Sequence, residues 1–409
     1  MHIVFLCDDT TKTADANLGI CCNLAKEFQS KGHQVTILGN CEQKSAPLEE
    51  QQDGIFFRRF YYPINRITHQ ILQHYGQCHS ILHLAADLLC HPITACVDVM
   101  RAATGYNPID RKYTQLLNQV HKAHPVDIAI ASSGSFYTIH ALAKSQVPCF
   151  KIGYMMDPYW KNHTTGGHRA KQEELFAWKR LDKMVIPKLL ERDYQDPAFD
   201  ECRSKLVAAE FPGIQKPADV PCPVKFDPQK INLLFAGNFY EAIRSPEYLL
   251  NLVEALPDHV CLSILGGIYG CFPEEVEQKM GQLSEQGRVR LLGCVPAAQA
   301  QVAMCHADYL VNLGNAIDNQ LPSKIFTYFS TGKPVIHIQK IADCPCVPYM
   351  RKYGNAVVLQ ETESVAQSTQ ILLEFMHTDK PTMEFCQVEG KFPECTVPYV
   401  ADLMLEGVE

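Results

Sequence analysis

Apolar residues along the chain alternate between a continuous, strand-like pattern and a pattern that repeats every four residues. Residues 2–7 (HIVFLC) are an apolar run of strand length, and apolar positions spaced by four from Ile20 to Phe28 then mark one face of a helix. Gly32 ends that helix, and residues 34–38 (QVTIL) return as a strand. Strand, helix and strand within about forty residues form a βαβ unit, which predicts a parallel sheet.

The same alternation continues through the N-terminal half of the chain. Residues 127–131 (DIAIA) and 147–156 are predicted as strands, and the helix between them runs through Lys144. Residues 67–100 carry a long helical pattern whose polar face has almost no Lys or Arg. A helical insertion packed on its own domain is therefore favoured over a helix lying on a membrane surface.

A proline-rich segment separates two α/β halves. Residues 211–230 contain five prolines in twenty positions, a composition that suits a semi-rigid linker. The alternation then restarts and predicts strands at 231–236, 261–265, 289–292, 308–313, 335–338 and 356–359, with helices at 245–256, 273–286, 296–307 and 324–331. The predicted fold is α/β, with two Rossmann-like domains at 1–210 and 231–395, a linker at 211–230 and a C-terminal segment at 396–409.

The loop after the strand at 308–313 is the first candidate binding site. Pro322 suits the first position of a helix, and the amides of Ser323 and Lys324 lie at the positive end of the helix dipole. A lysine ammonium added there favours an anion such as phosphate. Thr327 lies one turn beyond Ser323 on the same face. The alternative interpretation is a well-capped helix with a solvated lysine.

A second corner of the same kind follows the strand at 231–236. That strand leads into Gly237, and the next helix is preceded by Arg244, a serine and a proline. The planar guanidinium of Arg244 suits bidentate contact with phosphate. Loops at the carboxyl ends of parallel strands line the ligand crevice in sheets of this type. Two basic helix starts at that edge predict a diphosphate held between them.

Charge and cysteine usage exclude several classes of protein. The net charge of −8 argues against a dedicated nucleic-acid-binding protein, because phosphate contacts require a basic face. The run FFRRFYY at 56–62 is better explained as a buried strand with two exposed arginines, Arg58 and Arg59. Eighteen cysteines, with no signal-peptide pattern and no membrane-spanning apolar run, predict free thiols in the cytoplasm. Cys344-Pro-Cys346 matches no zinc spacing, so no metal site is predicted.

Four segments of the sequence resemble GT-B glycosyltransferases of the family 4 type. Residues 233–256 and 287–314 resemble the opening and middle of that family's donor domain, 321–336 (LPSKIFTYFSTGKPVI) resemble its nucleotide-binding helix, and 17–38 resemble the start of its acceptor domain. The resemblance implies two Rossmann-like domains facing a cleft, with the acceptor bound by the N-terminal domain and a nucleotide sugar by the C-terminal one. It also implies that the helix at 397–405 crosses back to the N-terminal domain.

The resemblance further implies a reaction. It would be the retaining transfer of a hexose from a nucleotide sugar, with a UDP-sugar as the expected donor, to a glycan or a lipid-linked acceptor. No metal cofactor is expected, because cations such as Arg244 and Lys324 would stabilise the departing diphosphate. A lipid-linked acceptor would imply peripheral contact with the inner face of a membrane. No nucleic-acid partner is expected.

The family's donor-site roles fall on residues of the two corners. Ser323, Lys324 and Arg244 would hold the diphosphate, Thr327 would bind the ribose, and Asn319 would face the sugar. The family usually has glutamates at the positions of Thr327 and Asn319. Thr327 can still reach a ribose hydroxyl, but it cannot accept two hydrogen bonds as a carboxylate does.

The remaining expected site residues are more weakly indicated. Gly237 and Pro322 belong to the same two corners and are counted as nucleotide-binding positions, while Gly19 would let the first loop approach the leaving group. Asp157 could orient or deprotonate the acceptor, although an aspartate before proline is equally expected in a turn. His140 is a further catalytic candidate, and a packed histidine is its structural alternative.

Two other functions stay open at this point. A sugar-nucleotide 2-epimerase of the same fold would need carboxylates or histidines for elimination, and the two missing glutamates weigh against it. A GT-B protein that binds nucleotide sugars without turnover is favoured by Thr327 and Asn319. The intact corners at Pro322-Ser-Lys and Arg244-Ser-Pro oppose this second alternative.

Overall fold

The computed structural model describes residues 1–11, 16–41, 43–62, 108–133, 136–162, 166–241, 243–378 and 381–408. They form two compact units: Met1–Glu210 together with Val400–Glu409, and Phe211–Tyr399. The predicted helical insertion at 67–100 lies outside the described residues.

A mostly parallel sheet forms the centre of the first unit. Its strands are β1 His2–Asp9, β2 Gln34–Cys41, β3 Glu49–Gln52, β4 Ile55–Tyr61, β5 Ile128–Ser133, β6 Phe150–Met155, β7 Lys183–Pro187 and β8 Leu206–Ala209. Their order across the sheet is β3-β4-β2-β1-β5-β6-β7-β8. Every neighbouring pair is parallel except β3 and β4, so the predicted parallel sheet is confirmed.

The helices of the first unit cover this sheet. They are α1 Ala16–Ser30, α2 Pro108–Ala123, α3 Tyr137–Lys144 and α4 His168–Trp178, with 3₁₀ segments at Lys188–Gln195 and Pro197–Lys205. The apolar face predicted for α1 is buried: Cys21, Leu24 and Phe28 have no exposed surface. Ile20, at the start of that face, is half-buried.

Strand β4 does not expose both of its arginines, so that prediction was wrong. Arg59 is 7% exposed, and it donates to Thr10 Oγ1 at 2.9 Å and to Glu50 Oε2 at 2.8 Å. Arg58 is half-buried and pairs with Glu49 at 2.7 Å. Both carboxylates come from β3, the antiparallel neighbour of β4. The prediction failed because it did not include this strand.

The second unit is built around an all-parallel sheet. Its strands are β9 Ile231–Ala236, β10 Phe239–Tyr240, β11 Val260–Leu265, β12 Ile268–Tyr269, β13 Val289–Gly293, β14 Tyr309–Leu313, β15 Val335–Gln339 and β16 Ala356–Gln360. The sheet order is β13-β11-β9-β14-β15-β16, while β10 and β12 pair with each other. The predicted strand at 231–236 coincides with β9, and the other predicted strands differ from the observed ones by one residue at one end.

Short helices connect these strands. They are α5 Glu247–Ala255, α6 Glu274–Glu285, α7 Ala297–His306, α8 Lys324–Ser330, α9 Val347–Tyr353, α10 Val365–His377 and α11 Phe385–Lys391, followed by a 3₁₀ turn at Pro393–Cys395. The proline-rich segment 211–230 belongs to this unit. The Ile214 amide donates to the Cys395 carbonyl at 3.0 Å. A Cβ on Gly213 would lie 2.6 Å from the Cβ of Phe326, so glycine allows the segment to pack against α8.

The final helix, α12 Val397–Leu405, ends in the first unit. The ammonium of Lys183 donates to the carbonyls of Leu403, Met404 and Glu406 at 3.4, 3.0 and 2.5 Å. A cation at this position satisfies the free carbonyls of a helix C-terminus and complements its dipole. Across the described ranges, every helix is too short or too polar to cross a membrane.

Candidate functional site

Two glycines bring the carboxyl ends of β9 and β11 into close contact. Gly266 has a φ of +152°, and a Cβ there would lie 1.7 Å from the carbonyl oxygen of Gly237. The Gly237 amide donates to Leu265 O at 2.9 Å, and the Gly267 amide donates to Asn238 Oδ1 at 2.9 Å. A larger residue at 266 would force the backbone to move. Gly237, a predicted binding position, therefore lies on a closely packed sheet edge.

Arg244 lies at the same edge, immediately before α5. Its guanidinium donates to Asn315 Oδ1 from Nη2 at 2.6 Å and from Nε at 3.1 Å, and to Asn238 O from Nη1 at 3.4 Å. Burial lowers the pKa of this guanidinium. Within the described part of the chain, no carboxylate pairs with it. Arg244 is thus a half-buried cation held by one neutral side chain and one carbonyl.

Asn315 connects Arg244 to the loop that precedes α8. It is 2% exposed, accepts from the guanidinium and donates from Nδ2 to Gln320 O at 2.9 Å. The same loop is fixed by a backbone bond from the Ala316 amide to Ile243 O at 2.9 Å. Asn315 was not predicted as a site residue, because an asparagine after a glycine is an ordinary turn residue. The structure shows that it positions the arginine.

Lys324 is the first residue of α8. It is half-buried, and burial lowers the pKa of its ammonium. No hydrogen-bond acceptor or carboxylate contacts this ammonium among the residues described. Ser323 precedes it at the N-cap position without making a side-chain capping bond. The Lys324 and Arg244 cations therefore share one property: both lose hydration without gaining an anionic partner from these residues.

Helix α8 is anchored to the end of β9. The Tyr328 hydroxyl donates to Ala236 O at 3.0 Å and accepts from the Ala236 amide at 2.9 Å. Burial raises the pKa of Tyr328, and the nearby guanidinium of Arg244 acts in the opposite direction. Arg244 and α8 are therefore close neighbours, as the two-corner prediction requires. Phe326 and Phe329 fill the core beneath the helix and have no exposed surface.

The polar residues predicted to contact a donor lie on the accessible side of this corner. Ser323, Lys324 and Thr327 are half-buried, whereas the other residues of α8 are buried. Pro322 is buried and starts the turn that leads into the helix, since Ile325 N–H donates to Pro322 O at 3.1 Å. Asn319 is half-buried in the preceding loop. The binding roles given to these residues stay predictions.

The predicted acceptor residue Asp157 belongs to the first unit, in the turn that follows β6. It is half-buried. The loop after β5 reaches the same turn, because the Phe136 ring stacks on Tyr159 with centroids 4.2 Å apart. Phe136 has a φ of +64°, which is an outlier for an aromatic residue. Strained residues of this kind concentrate at functional loops.

His140 is packed between helices of the first unit. Its Nδ1 lies 2.9 Å from Asp110 Oδ2, and the same oxygen accepts from Lys144 Nζ at 2.8 Å. The imidazole meets the edge of the Phe176 ring with centroids 5.3 Å apart. These are the contacts of a packed histidine, the alternative that the sequence left open. A catalytic role for His140 stays a prediction.

Gly19, which was expected to let the first loop approach the leaving group, lies within helix α1. A Cβ at this position would have no neighbour within 4 Å. The described contacts therefore do not require glycine here.

No family model matches this sequence, and no curated protein matches it either. Several solved structures do. HepE of Anabaena in complex with UDP and glucose aligns with a TM-score of 0.60 at 14% identity, over 99% of this chain and 98% of that chain. WaaB, a lipopolysaccharide outer core galactosyltransferase, aligns with a TM-score of 0.56 at 13% identity over 98% of both chains. WaaG, a glycosyltransferase involved in lipopolysaccharide biosynthesis, aligns with a TM-score of 0.56 at 14% identity over 100% of both chains.

At these identities the alignments establish the fold. The chain has the two-domain α/β fold of these glycosyltransferases, the GT-B fold, over nearly its whole length. The predicted fold class is confirmed.

Proposed function

We propose that this protein is a glycosyltransferase that binds a nucleotide sugar at the carboxyl edge of the second sheet. The observation that carries the proposal is the pair of half-buried cations, Arg244 and Lys324, which have no carboxylate partner in the described ranges. Arg244 and Lys324 follow the ends of β9 and β14, and the two together are called the cationic corner below. In a GT-B fold they offer a diphosphate the two positive charges that it needs.

The cations would bind a diphosphate because burying a charge costs free energy. Removing a cation from water is unfavourable unless an anion or several acceptors replace the lost hydration. Two opposite unit charges about 4 Å apart interact by about 4 kcal/mol at an effective dielectric constant of about 20. A diphosphate that contacts Arg244 and Lys324 would therefore stabilise both cations. The same contacts would strengthen as negative charge develops on the leaving group, which favours transfer.

The proposed reaction moves a hexose from a UDP-sugar to a glycan or a lipid-linked acceptor. The bond between the anomeric carbon and the diphosphate oxygen breaks, the acceptor hydroxyl oxygen bonds to that carbon, and its proton passes to a base, for which Asp157 is our candidate. UDP and glucose in the HepE complex and the galactosyltransferase activity named for WaaB support a UDP-hexose donor. Retention of anomeric configuration and metal independence are parts of the proposal that follow the family resemblance.

The direct test measures donor binding and turnover together. Protein would be titrated with UDP, then incubated separately with UDP-glucose, UDP-galactose, UDP-N-acetylglucosamine and GDP-mannose while proton NMR follows each sugar. We expect one donor to release its nucleoside diphosphate slowly, and Lys324→Ala to bind that nucleotide roughly 30-fold more weakly. Lys279→Ala is the matched control, because Lys279 already pairs with Glu254 at 2.7 Å.

Three other outcomes are informative. Conversion of a UDP-sugar to its 2-epimer would identify an epimerase. Binding of a nucleotide sugar without turnover, even with glycan and lipid-linked acceptors present, would identify a non-catalytic binding protein. Equal UDP affinity in Lys324→Ala and Lys279→Ala would show that the cationic corner is not the nucleotide site.

A further inference from the structure

The strand β15 and the Cys-Pro-Cys turn that follows it bring three metal-binding side chains together near the carboxyl edge of the second unit's sheet. His337 lies on β15, paired in register with Asn312 of β14, and Cys344 and Cys346 follow in the loop before α9. Their ligand atoms all lie within 4.8 Å of one another. Exposures are 0% for His337, 4% for Cys344 and 0% for Cys346. Among the described residues, this is the one group of three such side chains.

One separation within the group fits a tetrahedral metal site. The Cys344 sulfur lies 3.4 Å from His337 Nε2. Zinc bonds of about 2.3 Å to sulfur and about 2.0 Å to nitrogen, at a tetrahedral angle, place the two ligand atoms about 3.5 Å apart. The observed separation is therefore the one that a shared Zn²⁺ would require.

Asn312 is placed to orient His337. The side-chain amide of Asn312 lies 2.8 Å from His337 Nδ1 and 3.8 Å from the Cys346 sulfur. The oxygen and nitrogen of an amide are assigned from their neighbours, so a half-turn of Asn312 brings Oδ1 toward Nδ1. A histidine that binds metal through Nε2 donates its Nδ1–H to such an acceptor, which fixes the tautomer.

The charges of the group also favour a divalent ion. Two thiolates would be costly to bury without a counter-charge. Zn²⁺ with two thiolates and a neutral imidazole has no net charge, and soft sulfur ligands suit this ion.

We propose that Cys344, Cys346 and His337 bind a Zn²⁺ ion, with the fourth position taken by water. Binding releases the two thiol protons to solvent. The ion would lie beneath Gly314, where a Cβ would come within 3.2 Å of the Cys344 sulfur and 3.4 Å of His337 Cε1. Gly314 directly precedes Asn315, which positions Arg244. The site would therefore hold together the ends of β14 and β15 and the loop that leads into the cationic corner.

The experiment measures metal directly and needs no nucleotide, so it is independent of the proposed function. The full chain would be reduced, freed of metal, loaded with Zn²⁺, separated from free ions and analysed by inductively coupled plasma mass spectrometry. We expect about one Zn²⁺ per chain, lost in Cys344→Ser and Cys346→Ser. Cys386→Ser is the matched control, because Cys386 is an exposed thiol. Asn312→Ala should bind Zn²⁺ roughly tenfold more weakly.

A cobalt measurement on the unmodified chain gives a result that does not depend on whether the variants fold. The unmodified chain loaded with Co²⁺ should show the near-ultraviolet charge-transfer absorption of thiolate ligands. Absence of this band, or equal Zn²⁺ retention in Cys344→Ser, Cys346→Ser and Cys386→Ser, would overturn the proposal. In that case the three side chains are a hydrogen-bonded group without a metal.

Discussion

Buried charges are handled differently in the first unit and at the carboxyl edge of the second sheet. In the first unit, Arg59 pairs with Glu50, and Asp110 contacts both His140 and Lys144. At the edge of the second sheet, Arg244 and Lys324 have no carboxylate partner among the residues described. The first arrangement neutralises buried charge within the fold, whereas the second leaves positive charge without an anionic partner among these residues.

Arg288, another arginine of the second unit, shows that the lack of internal partners is a property of the carboxyl edge of the sheet and not of the whole unit. Arg288 lies just before β13, at the amino edge of the sheet, and is 6% exposed. Its guanidinium donates to the carbonyls at the end of α5, namely those of Val253, Glu254, Leu256 and Pro257. Asp258 lies 3.6 Å away. Arg288 is therefore a helix-capping cation whose contacts are all internal.

The first unit's buried carboxyl Glu174 offers the largest expected effect. It is fully buried, accepts from the Trp160 amide at 3.1 Å and from the Tyr194 hydroxyl, and burial raises its pKa to about 8. No cation pairs with it in the described ranges. The group thus avoids an uncompensated charge by holding a proton. Its contribution to stability is present below about pH 4.5 and is lost as pH rises through about 8.

The prediction is that the free energy of unfolding of the first unit falls between pH 5 and 9 by on the order of 4 kcal/mol, and that Glu174→Gln removes this loss. Tryptophan fluorescence during urea unfolding reads this unit selectively, since the chain's two tryptophans are Trp160 and Trp178. Glu173→Gln is the control, because Glu173 is partly exposed and ion-paired with Arg169. Equal pH dependence in the wild type and in Glu174→Gln would mean that Glu174 is ionised throughout.

Arg288→Ala should act mainly on stability, and Arg244→Ala should act mainly on nucleotide binding. Arg288→Ala leaves buried carbonyls without donors and should lower the stability of the second unit by roughly 3 kcal/mol. Nucleotide affinity of the folded protein should not change. Arg244→Ala should weaken UDP binding by roughly 100-fold. It should lower stability less than Arg288→Ala does, because removing a cation that has no anionic partner offsets the donors lost at Asn315. Hydrogen exchange of the β9 amides measures stability, and calorimetric titration measures binding.

A lysine at position 244 tests the role of the guanidinium. Arg244→Lys keeps the charge but loses the planar fork, so its UDP affinity should lie between those of the wild type and Arg244→Ala. If Arg288→Ala weakened UDP binding as much as Arg244→Ala, the distinction between the two edges would not hold.

Asn315→Asp would give Arg244 the carboxylate that this corner lacks. The two side chains have nearly the same shape, so the bonds at 2.6 and 3.1 Å would persist as an ion pair. We expect UDP affinity to fall roughly 30-fold, about 2 kcal/mol. The stability of the second unit should change little, because the new ion pair offsets the lost hydrogen bond to Gln320 O. Asn315→Ala should weaken binding less and lower stability. An affinity unchanged by Asn315→Asp would show that Arg244 does not meet the nucleotide.

The sequence predicted the strands and helices well because apolar periodicity is a local property. The six strands of the second sheet, for example, were placed to within one residue. Which side chains contact each other across the fold is not a local property of the sequence. The contact of Asn315 with Arg244 joins residues 71 positions apart, and the pairing of β14 with β15 brings Asn312 beside His337. Arg59 was misplaced for the same reason, since its carboxylate partner lies on β3.

Thr327 offers the smallest effect and the finest test of the donor site. Its side chain is half-buried on the accessible side of α8, and its carbonyl already accepts from Ser330 Oγ at 2.8 Å. If the Thr327 hydroxyl binds the ribose, Thr327→Val, which keeps the branched shape, should weaken UDP binding by about 1 kcal/mol. Thr327→Glu should strengthen it by a similar amount, because a carboxylate accepts two hydrogen bonds from the ribose hydroxyls.

A nucleotide without ribose hydroxyls makes this test specific. With 2′,3′-dideoxy-UDP, the affinities of the wild type and Thr327→Val should be equal, because the hydrogen bond cannot form with either protein. A double-mutant cycle over the two proteins and two nucleotides isolates that contact from any change in helix packing. If Thr327→Val weakens both nucleotides to the same extent, Thr327 supports α8 and the ribose is bound elsewhere. The cationic corner would then bind the diphosphate without selecting the nucleoside through this helix.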